Sequence, residues 1–288
     1  TDASGNNNTA ATQFNWTYDT TAACTVNGID YYRTIYDTSG PYITLSDLTA
    51  QAGSWNNSTD LVMKCDVSQF TSMYEAFKDN SSFNQDLSAW DTSSVTNMSN
   101  MFKGATSLES VTLPTTGFVT RMDGMFNSAT SLTSVSFTNT SAVTTMSNMF
   151  QDATNLTSVS LPDTGAVTDM SNMFQDATNL TSVSLPQTGA VTNMSGMFSF
   201  ASSLESVTLP DTSAVKYMGG MFYGATSLTT VSFPDTSAVT NMSNMFYGAT
   251  SFAQDIRAWD VSSVSNFSET FSGATAMIAA YSSTPNWN

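Results

Sequence analysis

The residues of this chain that could do chemistry recur at a fixed interval. Thr115, Asn139, Asp163, Gln187, Asp211 and Asp235 are spaced by 24 residues, so stacking of the repeats would place them in one column. Carboxylates on adjacent coils, Asp211 and Asp235, would then lie about 5 Å apart. That is close enough to share a calcium ion, which takes oxygen ligands. Aspartates at turns more often bond their own backbone, and both readings stand at this point. Methionine gives a second candidate, because 15 of the 17 Met fall in two columns. Thioethers can bind soft metals or be oxidised, but at helical spacing they read as core filler. Cys24 and Cys65 are the only cysteines. With no Cys-x-x-Cys spacing, they read as a disulfide in an oxidising compartment, with two isolated buried thiols as the alternative.

What is missing excludes more. The chain has no His, so a Ser-His-Asp triad, a Cys-His pair and the common zinc sites are unavailable. Paired-carboxylate hydrolysis needs a cleft, and a solenoid wall offers none. Neither enzymatic activity nor a cofactor is expected. A net charge of −16 with 7 Lys and Arg leaves no basic footprint for nucleic acid. No apolar run approaches the ~18–20 residues of a membrane span, so no membrane insertion is expected. Ser and Thr account for 89 of the 288 residues.

The elements that must position these residues follow from the repeat. Phe77, Phe102, Phe126, Phe150, Phe174, Phe198, Phe222, Phe246 and Phe271 are spaced by 25, then six times 24, then 25 residues. A fixed period of this length means a solenoid, in which each unit buries its core only against its neighbours. Within one repeat, Val167, Met170, Met173, Phe174 and Ala177 follow helical spacing, with Thr168 placed as an N-cap. The period then changes to two: Val183 and Leu185 point inward, Ser182 and Ser184 outward. Pro186 and Gly189 supply turn chemistry. The expected fold is an α/β solenoid: a leucine-rich-repeat-like stack of short helix–strand repeats with one parallel β-sheet face, capped at the N-terminus.

The stretch Phe83-Asn-Gln-Asp-Leu-Ser-Ala-Trp-Asp-Thr-Ser-Ser-Val-Thr-Asn-Met-Ser-Asn-Met-Phe102 resembles the repeat of BspA-like leucine-rich repeat surface proteins, also known from mycoplasma lipoproteins. Phe252-Ala-Gln-Asp-Ile-Arg-Ala-Trp-Asp260 is similar. The six central repeats carry a Ser-Val-Ser-Leu-Pro type of strand instead and look more like the strand-rich subclass of the same family. The resemblance covers residues 66–273. It implies a solenoid on extracellular or cell-surface proteins, often in adhesion, and no catalytic residues.

Three regions are expected. Residues 1–65 carry no repeat but hold many aromatics and both cysteines, and read as an aromatic, disulfide-pinned N-terminal cap. Residues 66–273 form the solenoid of about eight 24–25-residue repeats. Residues 274–288 read as a C-terminal cap or a docking segment, with Met277, Ile278, Tyr281 and Trp287 as end-to-end contact candidates.

The sheet face carries outward hydroxyl pairs: Ser110 and Thr112, Ser134 and Ser136, Ser158 and Ser160, Ser182 and Ser184, Ser206 and Thr208, Thr230 and Ser232. They read as contact candidates, or simply as small residues suited to an exposed strand. Twelve Asn-x-Ser/Thr sequons are glycosylation candidates: Asn7, Asn15, Asn56, Asn57, Asn80, Asn97, Asn139, Asn155, Asn179, Asn193, Asn241 and Asn266. Leu113–Gly117, Leu161–Gly165 and Leu185–Gly189 match a Gram-positive LPxTG sorting signal, but without the apolar stretch and basic tail such a signal requires they read as strand-ending turns. The composite reading is a non-enzymatic, secreted or surface-exposed glycoprotein that acts by contact. It assembles with itself head to tail into a fibre, or it is an adhesion module for surface or matrix proteins and glycans. Ice binding through the Ser/Thr face is the second alternative.

Overall fold

The computed structural model describes residues 67–68, 70–113 and 115–281, together with the backbone of residues 24–26 and 29–31. The expected cap, the Cys24–Cys65 pairing and Trp287 therefore lie outside the described side chains. Strands β1 (Cys24–Val26) and β2 (Ile29–Tyr31) pair antiparallel, with Val26 opposite Ile29.

From Ser72 to Asn266 the chain is a stack of coils. Single parallel bridges join Ser72, Asn97, Arg121, Thr145, Asp169, Asn193, Tyr217, Asn241 and Asn266 in unbroken succession. The phenylalanine column runs through the centre, from Phe77 to Phe271, with neighbouring rings 5.3 to 5.6 Å apart and nearly parallel. Around it the Val, Met, Met, Ala and Leu columns are fully buried, as at Val167, Met170, Met173, Ala177 and Leu180. The methionines of the two columns are thus core, filling the space beside stacked rings with flexible apolar side chains.

The expected helices are absent from the repeats. Asn172 and Asp176 have φ of 53° and 57°, in the left-handed region that a right-handed helix excludes. The backbone donors show what replaces the helix. Met170, Asn172, Phe174 and Asp176 donate to carbonyls of the next coil (Asn193, Ser195, Met197 and Ser199), while Met173, Gln175 and Ala177 close turns three residues back. An apolar spacing of three and four residues fits such a run of turns as well as a helix. The two arrangements differ in where the N–H groups go, and here neighbouring coils take them. Thr168 accordingly caps nothing: its amide and its hydroxyl both donate to the Thr144 carbonyl of the preceding coil.

The single parallel sheet is also corrected. Strands β3 (Ser110–Leu113), β4 (Ser134–Phe137), β5 (Ser158–Ser160), β6 (Ser182–Ser184), β7 (Ser206–Thr208) and β8 (Thr230–Ser232) form three separate parallel pairs, β3–β4, β5–β6 and β7–β8. Each strand is three or four residues long, and prolines such as Pro162, Pro186 and Pro210 follow closely, removing a donor where the ladder would continue. Alternation is as expected, with Ser outward and Val inward. The only described helix, α1 (Thr275–Tyr281), closes the far end and buries Met277.

Candidate functional site: the hydroxyl-bearing sheet face

The coils carry three sets of hydroxyls, and packing separates their roles. The first set is buried: Thr92, Thr116, Thr140, Thr164, Thr188, Thr212 and Thr236. The Thr164 hydroxyl donates to the carbonyl of Gln187 in the next coil and accepts the Gln187 N–H at 3.2 Å. The same two-way bond recurs at Thr116, Thr140, Thr188 and Thr212. These threonines satisfy backbone groups that would otherwise be buried unpaired. Sequence reasoning did not single them out. The available signal was that this column is Thr in seven consecutive repeats and never Ser. Three of them, Thr116, Thr164 and Thr188, are the threonines of the LPxTG matches, so those segments are structural turns locked between coils.

A second set is exposed but committed. Thr96, Thr120, Thr144, Thr168 and Thr192 each donate to a carbonyl of the preceding coil at 3.1 to 3.2 Å.

The third set is the predicted one. Ser110, Thr112, Ser134, Ser136, Ser158, Ser160, Ser182, Ser184, Ser206, Thr208, Thr230 and Ser232 are all exposed. They lie in register across the pairs, with Ser110 opposite Ser134, Ser160 opposite Ser184 and Thr208 opposite Ser232. None of these hydroxyls has a hydrogen bond within the described residues. A row of unbonded donor–acceptor groups on a rigid lattice can meet a polar partner without first breaking internal bonds.

The carboxylate column is occupied differently. Asp211 accepts the Ser213 N–H at 2.9 Å and Asp235 the Ser237 N–H at 2.8 Å. These bonds hold both carboxyls below the usual aspartate range. Each oxygen thus serves its own turn, and among the described residues no cluster of three acidic, Cys or His groups could hold a metal ion. Asp163 does the same for Gly165.

Of the sequons, Asn139, Asn155, Asn179 and Asn266 are exposed, and Asn97, Asn193 and Asn241 are half-buried. Asn80 is fully buried, where a glycan has no room. Asn7, Asn15, Asn56 and Asn57 lie outside the described residues. Of the end-contact candidates, Met277 belongs to the core, Tyr281 is half-buried and Ile278 is 43% exposed.

Four overlapping segments, residues 36–131, 109–210, 157–230 and 192–288, match the family model described as Mycoplasma protein of unknown function, DUF285. No curated protein matches the chain. Solved structures similar to it include a leucine rich cell surface protein from Faecalibacterium prausnitzii, 26% identical over 59% of this chain and 41% of that one, with a TM-score of 0.42. A leucine rich repeat protein of T. pallidum is 22% identical over 59% and 72% of the two chains, TM-score 0.43. One from Bacteroides ovatus is 18% identical over 88% and 72%, TM-score 0.43. The chain thus spans well under half the length of the F. prausnitzii protein.

Proposed function

The chain belongs to the family described as Mycoplasma protein of unknown function, DUF285, which agrees with its BspA-like repeats, and on that premise we propose that it is a non-enzymatic contact module of a secreted or surface-exposed protein. The observation that carries this reading is the division of labour among the hydroxyls. Two sets hold the coils together, while the sheet-face set from Ser110 to Ser232 has no internal partner. The partner is a surface or matrix protein or its glycans, met by hydrogen bonds along the strands. Any glycans of the chain itself would sit on Asn139, Asn155, Asn179 or Asn266, which are exposed.

The test is a binding screen on immobilised matrix proteins and glycans, using the full chain and the double variant Ser160→Lys, Ser184→Lys. The expected result is a ligand whose retention falls at least tenfold in the variant while its circular dichroism is unchanged. Equal retention of every ligand by both chains would overturn the sheet face as the contact surface. Ice binding would use the same face, but nine of its twelve hydroxyls belong to Ser and lack a methyl group. The face is also divided into three strand pairs. Round ice-crystal growth in the presence of the protein is expected.

Head-to-tail self-assembly is a second reading, favoured by the last coil. Val264 and Phe267 are half-buried where Val239 and Met242 of the preceding coil are fully buried. Ile278, in the helix that follows this coil, is 43% exposed. Light scattering of the full chain and of Ile278→Asp tests it. Concentration-dependent growth abolished by the substitution supports end contact, and a monomer in both chains overturns it.

A further inference from the structure

The turn segments of the coils carry a second surface, distinct from the strands. Here a shallow open groove of about 380 Å³ crosses four successive coils, within the size range of small-ligand sites. It exists because the sequence interrupts a column. Asn148 and Asn172 are followed at the same position by Gly196 and Gly220, and then by Asn244. All five have positive φ, so the backbone is unchanged; at Gly196 the Asn172 amide stands where a side chain would be, whereas Gly220 is left uncovered. At Gly220 an added Cβ would meet nothing closer than 4.0 Å, which leaves open space where a ligand atom can stand.

The groove has one aromatic residue in its lining, Tyr223. Tyr247 lies parallel to Tyr223 at 4.7 Å, and Phe200 meets Tyr223 edge-on at 5.1 Å. Phe200 is held at a cost. It has φ of 57°, in a column otherwise filled by residues such as Asp152, Asp176, Gly224 and Gly248, and it is 44% exposed. A bulky residue in the left-handed region is strained, and strain of this kind concentrates at functional sites.

The rest of the lining is polar and neutral. No Asp, Glu, Lys or Arg lines the groove. The side chains of Asn172, Ser199 and Asn244, and the Tyr223 hydroxyl, make no hydrogen bond within the described residues. A net charge of −16 repels polyanions, and the lack of a carboxylate in the lining gives a cationic group nothing to pair with. A peptide would look for an apolar pocket or an unpaired strand edge, and neither is present in this lining. Amides and hydroxyls beside an aromatic wall suit a sugar, which offers hydroxyls for the former and C–H groups for the ring.

We propose that this groove is a binding site for a neutral oligosaccharide, with Tyr223 as its wall and Asn172, Ser199 and Asn244 as its hydrogen-bonding groups. The sheet face takes no part in it.

The test uses isothermal titration of the full chain with neutral hexasaccharides of glucose, mannose, galactose and N-acetylglucosamine, and with a heparin hexasaccharide as the charged control. At least one neutral sugar binds, and heparin does not. Gly220→Asn is the decisive variant: Asn occupies the same position at 148, 172 and 244 with the same positive φ, so the coil folds while the groove is filled. It reduces affinity at least tenfold, as does Tyr223→Ser, with unfolding of Gly220→Asn unchanged. The Ser160→Lys, Ser184→Lys chain binds the sugar as the unmodified protein does, which separates failure here from failure of the sheet-face reading. Absence of any neutral-sugar binding, preference for heparin, or unchanged affinity in Gly220→Asn would each overturn the proposal.

Discussion

Thr164 and Gln187 are joined twice: the threonine hydroxyl gives its proton to the Gln187 carbonyl and receives the Gln187 N–H on the same oxygen at 3.2 Å. One buried side chain thereby satisfies both backbone groups of a residue on the next coil. This repeated clamp, more than any helix or sheet, fixes the spacing of the turns after the strands.

Removing the clamp leaves those two groups without their partner. Thr164→Val keeps the shape but deletes the hydroxyl, and is expected to destabilise the solenoid by about 1–3 kcal/mol. Thr164→Ser retains the bond and loses less. The exposed Thr168→Val, whose lost bond water can replace, stays within about 0.5 kcal/mol of the parent. Urea titrations of the three variants check the order.

The left-handed turns reverse the usual helix rules. In a helix, Asn172→Gly would be destabilising by a few tenths of a kcal/mol or more; at φ of 53° it is expected to be neutral or slightly stabilising. Asn172→Val, β-branched in the same region, costs about 1–2 kcal/mol. Chemical unfolding separates the two accounts.

Acid acts on two groups of aspartates in opposite senses. Backbone and side-chain hydrogen bonds from the serine two residues on hold Asp211, Asp235 and Asp260 below the unfolded value of 3.8. Their contribution is complete above 3.8 and is lost as pH falls through the lowered folded values. Burial first, then the charge of Asp176, raises Asp152 above 3.8. That strain is present at neutral pH and is relieved as pH falls through the raised value. Asp152→Asn is therefore expected to be more stable than the parent at pH 7 and equal to it below 3.8. Unfolding curves between pH 2 and pH 7 read both effects.

Calcium should not stabilise the protein. Asp211, Asp235 and Asp260 each spend an oxygen on their own turn, and among the described residues no cluster of three such groups could hold a metal ion. Thermal unfolding in chelator and in excess calcium is expected to superimpose. A rise in Tm with calcium would show that the two carboxylates turn toward each other.

The sequence by itself determined the period, the core and the outward hydroxyls. Phe77 to Phe271 recur at 24 or 25 residues, and only stacking can bury them all, so the solenoid follows from arithmetic. The strand alternation at Val183 and Ser184 is equally local and was legible for the same reason. What the tertiary structure decided was where the backbone amides go. Met170, Met173 and Phe174 fit a helix and a chain of turns alike, because both place residues three and four apart on one side. Only the neighbouring coil, offering the Asn193 and Met197 carbonyls, selects the turns. A trace of that choice was present in the exchange of Asn and Gly at 172, 196 and 220, the two residues that best tolerate the left-handed region. The groove at Gly220 was not legible, since it depends on which side chains of four coils meet across a gap of 24 residues each. A periodic sequence states what repeats; contacts between unlike neighbours along the stack decide where the repeat is broken for use.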